Sequence, residues 1–172
     1  MTDLFKTITI KSLEKNIFSL LDDTWMLITA GNKKSFNTMT ASWGGFGILW
    51  NKPVAFIFIR PQRHTLGFVE KEDHFTLSFF NEHYRDILNF CGSKSGKEVD
   101  KVAETGLIPV ETDNGSVFFQ QADLILECRK IYSDRVKPEN FIIGEIEKKL
   151  YKNKDYHYMF VADIISCMAR KQ

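Results

Sequence analysis

The segment Val54–Ile59 constrains this chain more than any other. Six apolar residues stand in a row, with Pro53 before them and Arg60-Pro61 after. The run is too short for a free-standing helix, so it reads as a strand buried on both faces. Trp25–Ala30, Asn37–Trp43, Phe75–Phe80, Ala122–Tyr132 and Tyr156–Ala169 read as further strands. In Ala122–Tyr132 the period of two puts Ala122, Leu124, Leu126 and Cys128 on one side, with Asp123, Glu127 and Arg129 opposite. Helices are fewer and short. His64–Lys71 is one, and Tyr84, Ile87, Leu88 and Cys91 give a second its i, i+3, i+4, i+7 spacing. Ser95-x-x-Glu98 reads as a capping box opening a third over Lys97–Glu104, which Gly106 stops. Strands with helices inserted in the middle predict a mainly β fold, a barrel carrying helical excursions. No regular βαβ alternation is present, which makes a doubly wound sheet second choice.

A chain of 172 residues predicts one domain, spanning 1–172. With 44% apolar residues and 15 Phe, it is too rich in core-forming side chains to be disordered. A net charge of +1 argues against a general nucleic-acid binder. No apolar run approaches the ~18 residues of a membrane helix. Met1–Lys6 has no basic region leading into an apolar stretch, so no signal peptide is expected. Cys91, Cys128 and Cys167 are far apart and form no Cys-x-x-Cys. They read as reduced, partly buried thiols of a cytoplasmic protein.

Near-neutrality hides an uneven distribution. Thr24–Val69 contains no acid but holds Lys33, Lys34, Lys52, Arg60 and Arg63, so it carries +5 against −4 elsewhere. An acid-free stretch among strands and turns suggests an anion site. For Lys33 and Lys34, solvated loop lysines are the simpler reading. Arg60 and Arg63 stand beside Pro61 at the end of a buried strand, where either reading is open.

Several familiar patterns fail. Cys91-Gly-Ser-Lys-Ser-Gly-Lys97 has three residues between its glycines where a P-loop needs four, and Glu98 stands where Ser or Thr should hold magnesium. What survives is a small-residue loop with Ser93, Ser95 and Lys97 entering a capped helix, either an anion-binding loop or a plain surface cap. Gly44-Gly-Phe-Gly47 has Trp50 where a dinucleotide fingerprint needs glycine, and reads as a turn or close backbone approach. His64, His74, His83 and His157 make no i, i+4 pair, so no metal site is expected. No Gly-x-Ser-x-Gly elbow is present. Asp22-Asp23, Glu70, Glu72 and Asp73 read as solvated turns.

One constellation carries chemistry. Thr38, Thr40 and Ser42 make a strip of hydroxyls along Asn37–Trp43, with Met39 and Trp43 facing away. Arg60, Arg63 and Thr65 supply guanidinium and hydroxyl donors at a strand-to-helix turn. A flavin mononucleotide asks for both: hydrogen bonds along its isoalloxazine, and Arg or a helix terminus at its phosphate.

Asn37-Thr-Met-Thr-Ala-Ser-Trp-Gly44, Pro53 to Thr65, and Cys91 to Lys101 in this order resemble the flavin reductase-like, FMN-binding split-barrel family, flavoredoxin-like branch. The resemblance runs from Trp25 to Ile165. It implies a six-stranded antiparallel Greek-key split β-barrel with a few peripheral helices, a homodimer, and one FMN per subunit near the interface. It implies that Asn37, Thr38, Met39, Thr40, Ala41 and Ser42 line the isoalloxazine and ribityl chain. Arg60, Arg63 and Thr65 would hold the ribityl-phosphate end, and the Ser93–Lys97 loop before Asp100-Lys101 would close over the phosphate. His157 matches a histidine on the nicotinamide side of the family's H-x-x-x-x-G-E strand, or is an ordinary strand histidine. Ala162 and Asp163 replace that pattern's Gly and Glu. The implied activity is an NAD(P)H-dependent oxidoreductase passing electrons to free flavin, a protein or a small acceptor. An FMN-binding electron carrier or sensor, or a pyridoxamine-phosphate-oxidase-like enzyme, are the alternatives.

Overall fold

The computed structural model describes residues 4–171; Met1–Asp3, part of the start considered as a signal peptide, and Gln172 lie outside them. In chain order the strands are β1 (Phe5–Thr7), β2 (Met26–Asn32), β3 (Ser35–Ala41), β4 (Gly44–Leu49), β5 (Lys52–Ile59), β6 (His74–Phe79), β7 (Pro109–Glu111), β8 (Val117–Phe119), β9 (Leu124–Arg135) and β10 (Tyr158–Arg170). The α-helices are α1 (Ile17–Ser19), α2 (His64–Lys71), α3 (Arg85–Ser93), α4 (Lys101–Thr105) and α5 (Gly144–Leu150). The fold is mainly β and antiparallel, as expected, but its principal sheet has eight strands rather than six.

That sheet runs β3-β2-β6-β9-β10-β5-β4. The long β10 pairs β5 through Tyr158–Asp163 and β1 through Met168–Arg170. β2–β6, β6–β9 and β10–β5 join strands that are not consecutive, as Greek-key connections do. The edge strands β3 and β4 are separated in the chain only by Ser42 and Trp43. The sheet therefore rolls round until its edges meet at that corner, and no ladder closes them. This is the split in the barrel. β4 lacks apolar alternation, which is why its glycines read as a turn. Its Gly44 makes the expected close approach, since a Cβ there would lie 2.6 Å from the Phe56 carbonyl oxygen. Trp50 and Asn51, both left-handed with φ of 50° and 58°, give the β4–β5 hairpin its tight turn.

The core has two layers. Ile28, Met39, Ile57, Ile59, Phe75, Leu77, Leu126 and Phe160 fill the barrel interior, with Leu66 and Val69 of α2 packed against them. Leu27, Phe80, Leu88, Cys91, Phe118, Phe119 and Ile125 form the second layer. Leu124, Leu126 and Cys128 share the interior side, as their spacing predicts, but Ala122, expected with them, precedes β9 and packs in the second layer. The opposite side is not wholly solvated: Glu127 is buried, accepting from Thr112 Oγ1 at 2.6 Å and from Asn114 Nδ2 at 3.2 Å. β5 also departs from expectation. Ala55, Ile57 and Ile59 are fully buried, but Phe56 and Phe58 on its other face are half-buried. All three cysteines are free and buried. Burial pushes the Cys91 and Cys167 thiols up to about 11, so both are protonated at neutral pH.

α2 has the predicted bounds. The capping box at Ser95 does not form. Ser95–Val99 is a turn, and Asp100 caps α4 instead, its carboxylate accepting from the Val102 and Ala103 amides. Asp is the stronger cap because it carries charge to the helix N-terminus. Gly106 ends the helix in the left-handed conformation, as expected. No helix among the described residues is long and apolar enough to cross a membrane.

Candidate active site: a cleft along the open edge of β3

The split leaves the outer edge of β3 without a strand partner. Two adjoining cavities lie there. One, of about 190 Å³, is lined by Met39, Thr40, Ala41, Ser42 and Trp43 together with Phe58, Arg60, Arg63 and His157. The other, of about 270 Å³, is lined by Asn37, Met39, Gln62–Thr65, Ser93–Gly96 and Lys101. Met39 and Arg63 border both, so they form one bent cleft.

The edge presents backbone rather than hydroxyls. Lys101 Nζ donates to the Thr38 carbonyl at 2.8 Å and to the Cys91 carbonyl at 2.7 Å. The Thr38 carbonyl therefore points to the open edge, and the period of two puts the peptide groups of Thr40 there as well. The side-chain hydroxyls are taken inside the protein. Thr38 Oγ1 bonds Thr29 Oγ1 at 2.9 Å, and Thr40 Oγ1 donates to the Leu88 carbonyl at 2.5 Å. The hydroxyl strip read from the sequence is thus a structural seam between β3, β2 and α3, with Ser42 left on the cleft wall.

The strand-to-helix turn brings Arg63 and Thr65 to one cavity wall. Arg63 is the N-cap residue of α2, without a side-chain cap bond, and donates from its guanidinium to the Gly92 carbonyl. Thr65 Oγ1 accepts from Asn37 Nδ2 at 2.8 Å. Ser93 and Ser95 face the same cavity from the end of α3. Burial pulls the Lys101 ammonium below its ordinary value; the Cys91 thiolate would raise it, and Arg63 lowers it further. Lys97 lines neither of these two cavities. With Thr38, Lys34 and Asp100 it lines an adjoining, wider cavity of about 530 Å³, which shares Asn37, Gly96 and Lys101 with the second.

Arg60 also moves from its predicted place. It does not join Ser93 and Ser95 but lies at the opposite end, beside His157. Its guanidinium is engaged by Asp155, which also accepts from Gln62 Nε2 at 2.9 Å, and it donates to the Leu150 carbonyl at 3.0 Å. It is therefore largely spent within the protein. The bonds from Gln62 and Arg60 hold the Asp155 carboxyl below its usual range.

His157 closes that end of the cleft. The ring is buried, 5.1 Å from the Trp43 ring centroid and 5.5 Å from that of Tyr151, with Phe58 edge-on. Its Nδ1 is 2.8 Å from the Tyr151 hydroxyl. Burial first, then Arg60, takes its pKa down to about 4, so the ring is neutral at physiological pH. Ala162 and Asp163 lie elsewhere. Ala162 is in the barrel core, and Asp163 accepts from Lys52 Nζ at 2.9 Å and from Arg129 at 3.4 Å across β5, β10 and β9.

Phe58, Trp43, Lys101 and Tyr151 line or support the cleft beyond the residues expected from the sequence. Lys101 carries a signal in its place after Asp100, in the segment that resembles the family. Tyr151 follows α5, in a segment with no pattern that marks it.

The description "Flavin reductase like domain" covers the family whose model matches residues 19–163. No curated protein matches. Among solved structures, the FMN-binding domain of a flavin reductases-like enzyme from Shewanella baltica aligns at 17% identity and TM-score 0.69, over 96% of this chain and 76% of that one. Flavoredoxin from Methanosarcina acetivorans aligns at 20% identity and TM-score 0.66, over 87% and 69%. An NADH:FAD oxidoreductase from Streptomyces globisporus, in complex with NAD and FAD fragments, aligns at 14% identity and TM-score 0.63, over 86% and 77%. At these identities the likeness speaks for the fold. The family match spans most of the sequence, and with the split barrel it is decisive: this chain belongs to the flavin reductase-like domain family.

Proposed function

We propose that the chain is a single-domain, FMN-binding, NAD(P)H-dependent oxidoreductase of the flavin reductase or flavoredoxin type. The bent cleft carries this reading. One arm gathers Arg63, Thr65 and Ser95 around the start of α2, a donor set suited to a phosphate, with Ser93 beside them giving its proton to the Phe90 carbonyl. The other is walled by the β3 edge, Met39, Phe58 and Trp43, a mix of backbone hydrogen-bonding groups and apolar faces suited to a flat heteroaromatic ring. The residues present fit FMN with the phosphate at Arg63 and the ring toward His157. Bound flavin supplies hydride acceptance and electron transfer, while the protein supplies position and electrostatics. Arg63 and Ser95 anchor the charged end, and Lys101 holds the β3 edge to the end of α3. Neutral His157 and Trp43 border the space left for a nicotinamide or acceptor ring. The Streptomyces relative, an NADH:FAD oxidoreductase, supports a nicotinamide partner.

Purified protein is expected to be yellow and to release FMN on denaturation. Failure to take up FMN in a titration overturns the reading. Mixed anaerobically with NADH and NADPH in a stopped-flow instrument, the bound flavin is expected to bleach with at least one of them. If neither bleaches it, the protein is an FMN-binding electron carrier. We also read the chain as a homodimer. Phe18, Ile48 and Trp50 expose large apolar surfaces that a partner subunit would cover, and sedimentation velocity tests this.

A further inference from the structure

Tyr151 lines neither arm of the cleft, yet among the described residues it makes the one hydrogen bond to the His157 ring. It follows α5 and is buried. Its ring stacks on Tyr156 at 5.0 Å, packs against Phe141 at 5.7 Å, and lies under the Arg60 guanidinium at 5.1 Å. Asp155 in turn holds Arg60. The phenol is fixed on every side, so its hydroxyl can point in few directions.

The direction of the Tyr151–His157 bond follows from donor accounting. A neutral imidazole carries one N–H, and a tyrosine hydroxyl carries one O–H. Among the described residues the only partner of the Tyr151 hydroxyl is His157 Nδ1. If Nδ1 were the donor, the buried O–H would have no acceptor, a cost of about 1–3 kcal/mol. If the hydroxyl donates, its proton and the Nδ1 lone pair are both satisfied. The ring proton then sits on Nε2. Burial raises the pKa of Tyr151, so the phenol keeps its proton to give.

We propose that Tyr151 is a positioning residue: it locks His157 in the Nε2–H form, so that the histidine meets the cleft as a fixed, uncharged hydrogen-bond donor. A donor of this kind recognises the carbonyl or carboxamide oxygen of a planar ring and transfers no proton to it. The role toward substrate rests on the flavoprotein reading above; the state of the histidine does not. The charged and titratable groups facing His157 are Tyr151 after α5, Arg60 and Arg63 between β5 and α2, and Asp155 before β10.

Long-range proton–nitrogen NMR of the 15N-labelled, FMN-loaded protein reads the tautomer directly, with His157→Gln identifying the resonance. The wild type is expected to show Nδ1 as an acceptor and Nε2 as protonated, unchanged from pH 8 down to pH 5. A proton on Nδ1, or a charged ring within that range, overturns the proposal on the wild type's spectrum itself. In Tyr151→Phe the ring is expected to become a mixture of tautomers. The KM for the nicotinamide should rise about fivefold, the scale of one hydrogen bond, with FMN affinity within about twofold of wild type. An unchanged tautomer, or a changed tautomer with an unchanged KM, overturns the positioning role. If no nicotinamide reduces the flavin, the oxidoreductase reading fails, and the NMR result still decides the tautomer.

Discussion

The side-chain amide of Asn37 donates to the hydroxyl of Thr65 across 2.8 Å, joining the first cleft residue of β3 to the first turn of α2. Gly96 packs directly on the far side of that amide. A Cβ at Gly96 would lie 1.9 Å from Asn37 Oδ1, too close for any side chain to exist there without displacing the asparagine. Gly96→Ala should therefore push Asn37 off Thr65 and disturb the wall of the phosphate arm. Overpacking of this kind costs about 1–3 kcal/mol. Calorimetric titration with FMN should show affinity reduced about tenfold or more. Wild-type affinity in the variant would mean that the loop moves aside freely.

Arg63 is the cation at the bend of the cleft, and its guanidinium is already oriented by the Gly92 carbonyl. Arg63→Ala should weaken FMN binding by about 1.5–3 kcal/mol, the worth of a charged hydrogen bond. Arg63→Lys keeps the charge but loses the planar fork, so it should fall between the two. Riboflavin, which lacks the phosphate, should bind both variants about as well as wild type. An equal loss for riboflavin would move the phosphate away from Arg63.

His157 links the site to stability. Its pKa is about 4 in the folded chain, against an ordinary 6.5. The unfolded chain therefore binds the extra proton first as pH falls. The stabilisation is complete above about pH 6.5 and is lost progressively toward pH 4, by on the order of 2–3 kcal/mol. Urea midpoints taken between pH 7 and pH 4.5 should drop for the wild type. They should drop less for His157→Gln, which has nothing to titrate. Parallel curves for the two proteins would show that His157 is not the group responsible.

What was legible in the sequence was what local pattern controls. The apolar run Val54–Ile59 marks β5 to within two residues, α2 has its expected bounds, and Arg63 and Thr65 lie where a strand-to-helix turn must put them. Contacts between distant residues were not legible. Arg60 looks like an anion anchor until Asp155, 95 positions away, is brought against it. Thr38 and Thr40 look free until β2 and α3 take their hydroxyls. β4 was missed because glycines carry no apolar period, and Tyr151 because its role exists only through the fold.

Asp163 tests whether the departure from the family's Gly-Glu pattern touches the cleft. Its carboxylate binds Lys52 and Arg129 on the neighbouring strands and lines neither arm of the cleft. Lys52 and Arg129 are half exposed, so solvent screens much of the attraction, but Asp163 itself is buried. Asp163→Asn should cost about 1 kcal/mol. In a domain of this size that lowers the melting temperature by roughly 2–4 °C. FMN affinity and the rate of flavin reduction should stay within about twofold of wild type. A large loss of reduction rate without a matching loss of stability would place Asp163 in communication with the nicotinamide side, through the shared strand β10 that carries both it and, just before its start, His157.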